Sequence, residues 1–225
     1  MEYIISSVIG YIIGCFNPAY YIGKLYGYKD IREEGSGNAG ASNIGLVVGK
    51  NIGFAVAVMD ICKAIFAMYL AGTVCSKIKY AKIVAGAFAI TGHMFPVNMH
   101  FEGGKGLACF AGVVISVSIE MAACMAVIFA AVILLTDYLV FGVISAVIIF
   151  PVVLAVTEGI LPAVVMAIIS AVMIAKHRIN IKRISCGLEY RISFIWDKEG
   201  RMAFKKRYED YIAVSADAET ERLVK

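Results

Sequence analysis

An all-α integral membrane protein, with seven transmembrane helices and short motif loops on its cytoplasmic face, is the fold this sequence predicts. Composition gives the first reason: 60% of the 225 residues are hydrophobic and the mean hydropathy is +0.81. A soluble domain runs nearer half apolar and cannot hide that excess. Polar breakers spaced about one membrane span apart give the second. The third is charge placement. The net charge is only +4, but 12 of the 21 Lys and Arg lie from Lys176 onward, which suits a cytoplasmic tail beside anionic headgroups and not a nucleic-acid surface.

The first span covers residues 3–26 and is interrupted at Asn17 and Pro18. Proline removes a backbone donor and bends a membrane helix, so a neighbouring polar group, Asn17 for instance, must satisfy the freed carbonyl. MEYIISS carries no basic n-region, so this helix is expected to stay and not to be a cleaved signal. A polar island, 27–51, follows, then a second span at 52–72 holding Asp60 and Lys63 three residues apart and thus on one helix face. A charge at mid-membrane costs about 2.5–3.5 kcal/mol even on the lenient insertion scale, so the two are expected to pair inside the bundle. The third span, about 80–97, ends in TGHMFP. Glu120, Asp137 with Tyr138, and Glu158 with Gly159 divide the rest into spans at about 106–118, 121–136, 139–156 and 160–176. This count places the three polar islands on one side and most Lys and Arg inside, as the positive-inside rule expects. Residues 1–189 form the membrane domain and 190–225 a basic cytoplasmic tail.

The first island centres on GSGNAGASN, residues 35–43. Small residues let a backbone approach a ligand closely, and glycine at positive φ turns successive N–H groups inward, a concavity suited to phosphate. The second island, FEGGKG, sets Lys105 among three glycines. It lacks the G-x-x-x-x-G-K-[ST] spacing of a nucleotide P-loop, but a lysine ammonium still serves as a point charge on phosphate. His93 lies twelve residues upstream, placed to act as general base or hydrogen-bond partner of a substrate. The third island, HRINIKRISCGLE, offers His177, Arg178, Asn180, Lys182 and Arg183; snorkelling accounts for its charges but does not call for the asparagine.

Other chemistries find no support. No G-x-S-x-G elbow or H-E-x-x-H is present. An H-x-x-x-x-D box would need Asp where His93, His100 and His177 are followed by Asn98, Lys105 and Lys182. The six scattered cysteines form no C-x-x-C and no zinc spacing, and they read as small core residues; no metal and no cofactor are expected.

DIREEGSGNAGASN at 30–43, GHMFPV with FEGGKG at 92–106 and HRINIKRISCGLE at 177–189 match, in order and spacing, the acyl-phosphate-dependent glycerol-3-phosphate acyltransferases of bacteria, the PlsY family. Asp60 and Lys63 fall where that family has D-x-x-K, and the resemblance covers roughly residues 5–189. It implies a multi-pass protein of the bacterial plasma membrane whose site faces the cytoplasm. It also implies transfer of a fatty acyl group from acyl-phosphate, without acyl-CoA, to the 1-hydroxyl of sn-glycerol 3-phosphate, giving lysophosphatidic acid. Carried over residue by residue, Ser36, Gly37, Asn38, Ser42 and Asn43 would cradle phosphate and the reacting carbonyl. His93 would stand at the reaction centre. Lys105, with Gly103, Gly104 and Lys50, would bind phosphate, and His177, Asn180, Arg183 and Glu189 would close the glycerol-phosphate side.

The chain departs from the family at Leu46 (usually Arg), Glu102 (usually Lys), Cys109 (usually Thr), and at Asp137 and Val140 in a T-R-Y-x-S pattern. These changes remove phosphate-friendly groups. They leave open a diverged paralogue with another acceptor or no catalysis. A small-solute transporter is a further alternative, resting on Asp60 and Lys63, but it calls for polar groups along a through-path and an inverted repeat.

Overall fold

The computed structural model describes residues 1–208, 210 and 211, with no strand among them; residues 212–225 of the expected tail lie outside the described residues. The chain builds α1 (Glu2–Cys15), α2 (Pro18–Leu25), α3 (Ala41–Val47), α4 (Lys50–Val74), α5 (Ala81–Met94), α6 (Leu107–Val117), α7 (Ile119–Thr136), α8 (Leu139–Thr157) and α9 (Ile160–Ser185). Single turns of 3₁₀ helix cover Ile31–Glu33, Val97–Met99 and Ile192–Ile195, and residues 198–208 form a further helix in the tail.

Five segments have the length and apolarity to cross a bilayer: Glu2–Leu25, Lys50–Val74, Ile119–Thr136, Leu139–Thr157 and Ile160–Ser185. α5 and α6 are apolar but short, with 14 and 11 residues, or about 21 and 17 Å at 1.5 Å per residue, against a hydrocarbon core of about 30 Å. The helix expected to run to residue 97 stops at Met94. Pro96 denies the preceding residue the helical region, and Phe95 is held at φ −135°, ψ 60°. Two motifs are also helical and not loops. Ala41–Asn43 opens α3, and α9 continues nine residues past the expected end at 176, so His177, Asn180 and Arg183 ride on one helix at spacings of three.

Small residues set the packing. Gly10 and Gly14 make a G-x-x-x-G on α1, and any Cβ there would run into the backbone of Ala85 and Ala89 on α5. Close backbone approach is what holds membrane helices together when lipid is as apolar as leucine. The main core lies between α4, α5, α6, α8 and α9, where Phe110 and Phe150 meet edge to face at 5.3 Å. The ends of the bundle also sort. Cys75 Sγ lies 3.5 Å from the Glu2 carbonyl, and Tyr80 Oη donates to the Glu158 carbonyl at 3.3 Å. The glycine-rich loop gathers with the starts of α6 and the tail at the other end.

Asp60 and Lys63 are buried and paired, as their spacing predicts, with Lys63 Nζ 2.7 Å from Asp60 Oδ1. Lys63 does more than neutralise. Its ammonium lies 3.0 Å from His93 Nδ1 and donates to the Phe16 carbonyl at 2.5 Å, at the break between α1 and α2. Lys63 thus serves one carbonyl left open at the break, that of Phe16. Asn17 instead caps α2, accepting from the Tyr20 N–H at 3.0 Å. We expect Lys63→Ala to destabilise the protein by about 3–5 kcal/mol, because it strands a buried carboxylate. The double change Asp60→Asn with Lys63→Met should cost less than the sum of the single changes. Equilibrium unfolding in mixed micelles measures both.

Candidate active site

The first island folds around two side chains. Asp30 Oδ1 accepts from the Arg32 N–H at 2.9 Å, starting the Ile31–Glu33 turn, and its carboxylate takes the Arg32 guanidinium with Nη2 at 2.6 Å from Oδ2. The guanidinium beside Asp30 holds that carboxyl below its ordinary range. Arg32 then reaches across to the second island, donating to the carbonyls of Met99 at 3.0 Å and Glu102 at 3.1 Å. Asn43, fully buried, ties the glycine-rich loop from beneath. Its Oδ1 accepts from the Ser36 N–H at 2.7 Å and Ser36 Oγ at 3.1 Å, while Nδ2 donates to the Ile31 and Glu34 carbonyls at 2.9 and 3.0 Å. Asn17 Nδ2 holds the far end of the loop at the Ala39 carbonyl, 3.1 Å away.

The second island is sewn to the end of α5. Gly103 and Gly104 donate their N–H groups to the carbonyls of Met94 and His93, both at 3.1 Å, satisfying acceptors that a helix C-terminus leaves open. Gly104 lies against the His93 ring, and a Cβ added there would overlap Nε2 and approach the Ala39 carbonyl at 2.9 Å. His93 Nδ1 faces both the Lys63 ammonium, at 3.0 Å, and the Asp60 carboxylate, at 3.2 Å, so the ring is held at that nitrogen and turns Nε2 toward Gly104.

Between these loops and α9 opens a cavity of about 370 Å³. Ser36, Gly37 and Asn38 form one wall, Glu102, Gly103 and Lys105 another, and Lys176, Ile179 and Arg183 of α9 a third, with Arg32 at the edge. Four cations and one carboxylate thus line it, an excess suited to a phosphate-bearing ligand. Lys105 Nζ donates to Asn180 Oδ1, and Asn180 Nδ2 donates to Glu189 Oε1 at 2.6 Å. Burial pushes the Lys105 amine down to about 8, against the pull of Glu189 and with Arg183 and Lys176 adding to the effect. Burial likewise raises Glu189, against Asn180, Lys105 and Arg183. Arg183 Nη2 donates to the Ser36 carbonyl at 3.3 Å, joining the third island to the first.

Of the expected site residues, Ser36, Gly37, Asn38, Gly103, Lys105 and Arg183 line the cavity. His93, Asn43, Gly104, Asn180 and Glu189 stand behind those that do. His177 is buried, with Nδ1 2.8 Å from the Met173 carbonyl one turn back, a bond internal to α9. Two expectations are not met by this geometry. Ser42 is exposed on α3, and Lys50 lines a separate depression with Val48, Gly49, Asn51 and Ile52. Helix periodicity explains both, since α3 turns Asn43 inward and its neighbour out, and Lys50 starts a new helix. Sequence reasoning missed Arg32 and Lys176. Arg32 stands two residues after an acid that both caps and pairs with it, and Lys176 directly precedes His177; it donates to the Met94 carbonyl at 2.8 Å and stacks over Phe95.

The departures sort in the same way. Val140 is core, Leu46 is exposed, and Asp137 is bonded to Ser193. Cys109 brings a sulfur within 4.8 Å of donor atoms of Asp60 and His93, a set that offers ligands for a metal. Lys63 Nζ already fills the cation's place between Asp60 and His93. Gly104→Ala is expected to cost about 1–3 kcal/mol, because the methyl must displace His93 against a packed wall; thermal unfolding checks it.

A family model described as glycerol-3-phosphate acyltransferase matches residues 4–187. The glycerol-3-phosphate acyltransferase of Staphylococcus saprophyticus is 36% identical over 203 residues, covering 87% of this chain and 100% of that protein. That of Staphylococcus aureus is 35% identical over 202 residues, with the same coverage. The crystal structure of PlsY (YgiH), an integral membrane glycerol 3-phosphate acyltransferase, in its glycerol 3-phosphate form, superposes with a TM-score of 0.78 at 30% identity over 87% of this chain and 98% of that one. Its lysophosphatidic acid form gives 0.74 at 29% identity, over 85% and 95%. The sequence motifs, the helical membrane fold and these relatives agree, and the chain belongs to the glycerol-3-phosphate acyltransferase family.

Proposed function

We propose that this protein moves a fatty acyl group from acyl-phosphate to the 1-hydroxyl of sn-glycerol 3-phosphate, at the cytoplasmic face of a bacterial plasma membrane. The observation that carries this reading is the basic, glycine-walled cavity at one end of an apolar bundle. Both substrates carry phosphate, and one carries an acyl chain that must arrive from lipid. The hydroxyl oxygen attacks the acyl carbonyl carbon, the carbon–oxygen bond to phosphate breaks, and inorganic phosphate leaves with the electron pair. Acyl-phosphate is already activated, so the work left to the protein is positioning and charge neutralisation. Lys105, Arg183 and Lys176 supply positive charge, and Ser36, Gly37 and Asn38 supply a close backbone and short polar groups. His93 is only 3% exposed and engaged by Lys63, so it supports the Gly103–Gly104 wall, and the departing phosphate takes the hydroxyl proton.

We read the bundle as seven crossings, residues 1–189 forming the membrane domain. Support comes from the end-sorting of contacts. α5 runs from Tyr80, beside Glu158, to the glycine wall, and α6 and α7 lead from Lys105 to Asp137, beside the start of the tail. The short α5 and α6 then pack among α1, α4, α7 and α9. Most basic residues fall on the site side, which supports reading that side as cytoplasmic.

Purified protein supplied with palmitoyl-phosphate and labelled glycerol 3-phosphate should form lysophosphatidic acid, and palmitoyl-CoA should not replace the donor. Product from palmitoyl-CoA alone would overturn the donor assignment, and none from either donor would point to another acceptor. A pH dependence follows from Lys105. Burial disfavours its ammonium, so the amine loses its proton as pH rises through about 8. KM for glycerol 3-phosphate should therefore climb above that pH. Lys105→Arg, which stays charged throughout the range, should flatten the profile.

A further inference from the structure

The family match ends at residue 187, yet the chain beyond it is tied back to the bundle at two points, the second of them at the glycine-rich loop. The first tie is the turn between α7 and α8. Asp137 takes the left-handed conformation, φ 65°, to end α7, a conformation that Asp tolerates better than most residues with a Cβ. Its carbonyl accepts from the Ile192 N–H at 3.0 Å, and its carboxylate accepts from the Ser193 N–H at 2.7 Å and from Ser193 Oγ at 2.6 Å. Both carboxylate oxygens are thus committed to one residue of the tail. Arg191 reinforces the tie, donating from Nε to Tyr138 Oη at 3.1 Å with its guanidinium over the same ring.

From that anchor the tail folds back on itself. Tyr190, Phe194 and Phe204 meet pairwise, with ring centroids 5.4 to 5.7 Å apart, and Phe204 stacks on Tyr208 at 5.8 Å. Phe204 and Tyr208 are four apart on the 198–208 helix and so share a face. The second tie is at the end of that helix. Tyr208 Oη donates to the Gly35 carbonyl at 3.1 Å, and Arg207 Nη1 to the Gly187 carbonyl at 3.4 Å. Gly35 has φ 57° and no room for a side chain, since a Cβ would overlap Asn43 Oδ1. Its backbone oxygen is the handle it offers, and the next two residues, Ser36 and Gly37, line the cavity.

We propose that residues 190–208 are a strap running from the α7–α8 turn to the glycine-rich loop, and that Tyr208 is a positioning residue that holds this loop ready for a phosphate-bearing substrate. The proposal deepens the acyltransferase reading and rests on it. A loop fixed before the ligand arrives loses less freedom on binding. Loosening the strap therefore weakens substrate binding and leaves the chemical step alone, which a merely structural tail would not do selectively.

Tyr208→Phe keeps the ring stacking and removes the donor. Asp137→Ala frees the other end, and truncation after residue 189 removes the strap. In the full-length protein, Tyr208→Phe should raise KM for glycerol 3-phosphate about threefold to tenfold, the equivalent of one hydrogen bond, with kcat and the unfolding temperature nearly unchanged. Asp137→Ala and the truncation should do at least as much. Amide hydrogen exchange read at Ser36 and Gly37, whose N–H groups are bonded to Asn43 Oδ1 and the Glu34 carbonyl, should speed up in the same variants. The exchange needs no turnover, so a parent protein without acyltransferase activity would overturn the proposed reaction and still leave the strap to be judged. Unchanged exchange in Tyr208→Phe overturns the strap, and faster exchange with unchanged KM overturns its positioning role.

Discussion

One ammonium, Lys63 Nζ, sits where three helices meet. It neutralises Asp60 on its own helix, fixes the ring of His93 on α5, and serves the Phe16 carbonyl at the proline break between α1 and α2. Each partner would be costly alone in an apolar interior, and together they satisfy one another. The site depends on this point. His93 backs Gly104, Gly104 backs the cavity wall, and the break at Asn17 and Pro18 lets Asn17 reach the glycine-rich loop at Ala39. A pair that could have served only to hold two charges in a membrane therefore sets the position of two site loops.

The cavity is built in two rows. The row that faces it is small or flexible: glycines, Ser36, Asn38 and the ends of long cations. The row behind is rigid and fully bonded, with Asn43 making four hydrogen bonds and Asn180 bridging Lys105 to Glu189. This division has a physical reason. Backbone and ammonium groups give up hydration to a phosphate, so they must be held in place before the ligand arrives, and the holding must come from groups the ligand does not touch. Asn43 and Asn180 belong to the family motifs because they position the groups that line the cavity, although neither lines it itself.

The departures from the family pattern take on a different meaning in three dimensions. Read along the chain, Asp137 and Val140 are losses of phosphate-binding groups. In the fold, Val140 is buried in the core, and Asp137 is spent on Ser193 at the start of the tail. Glu102 accepts from Arg32, so the reversed charge is partly absorbed by a neighbouring cation. Arg32 and Lys176, which the sequence reading passed over, bring two of the four cations that line the cavity.

The sequence by itself determined the membrane class, the helix breaks at Pro18, Asp137 and Gly159, the pairing of Asp60 with Lys63, and the three motifs that carry the family. These are local or periodic properties, written in hydropathy, in residues that cannot continue a helix, and in spacing along one face. Tertiary structure alone decided which motif residues face the cavity. It turned Ser42 and Lys50 away, buried His93 behind Gly104, carried the third motif onto α9, and joined Tyr208 to Gly35 across 173 residues of chain. Such contacts are set by where helices cross, and crossings depend on close approach at residues such as Gly10, Gly14 and Gly112. A glycine's identity is visible in the sequence, but the backbone it must admit is not.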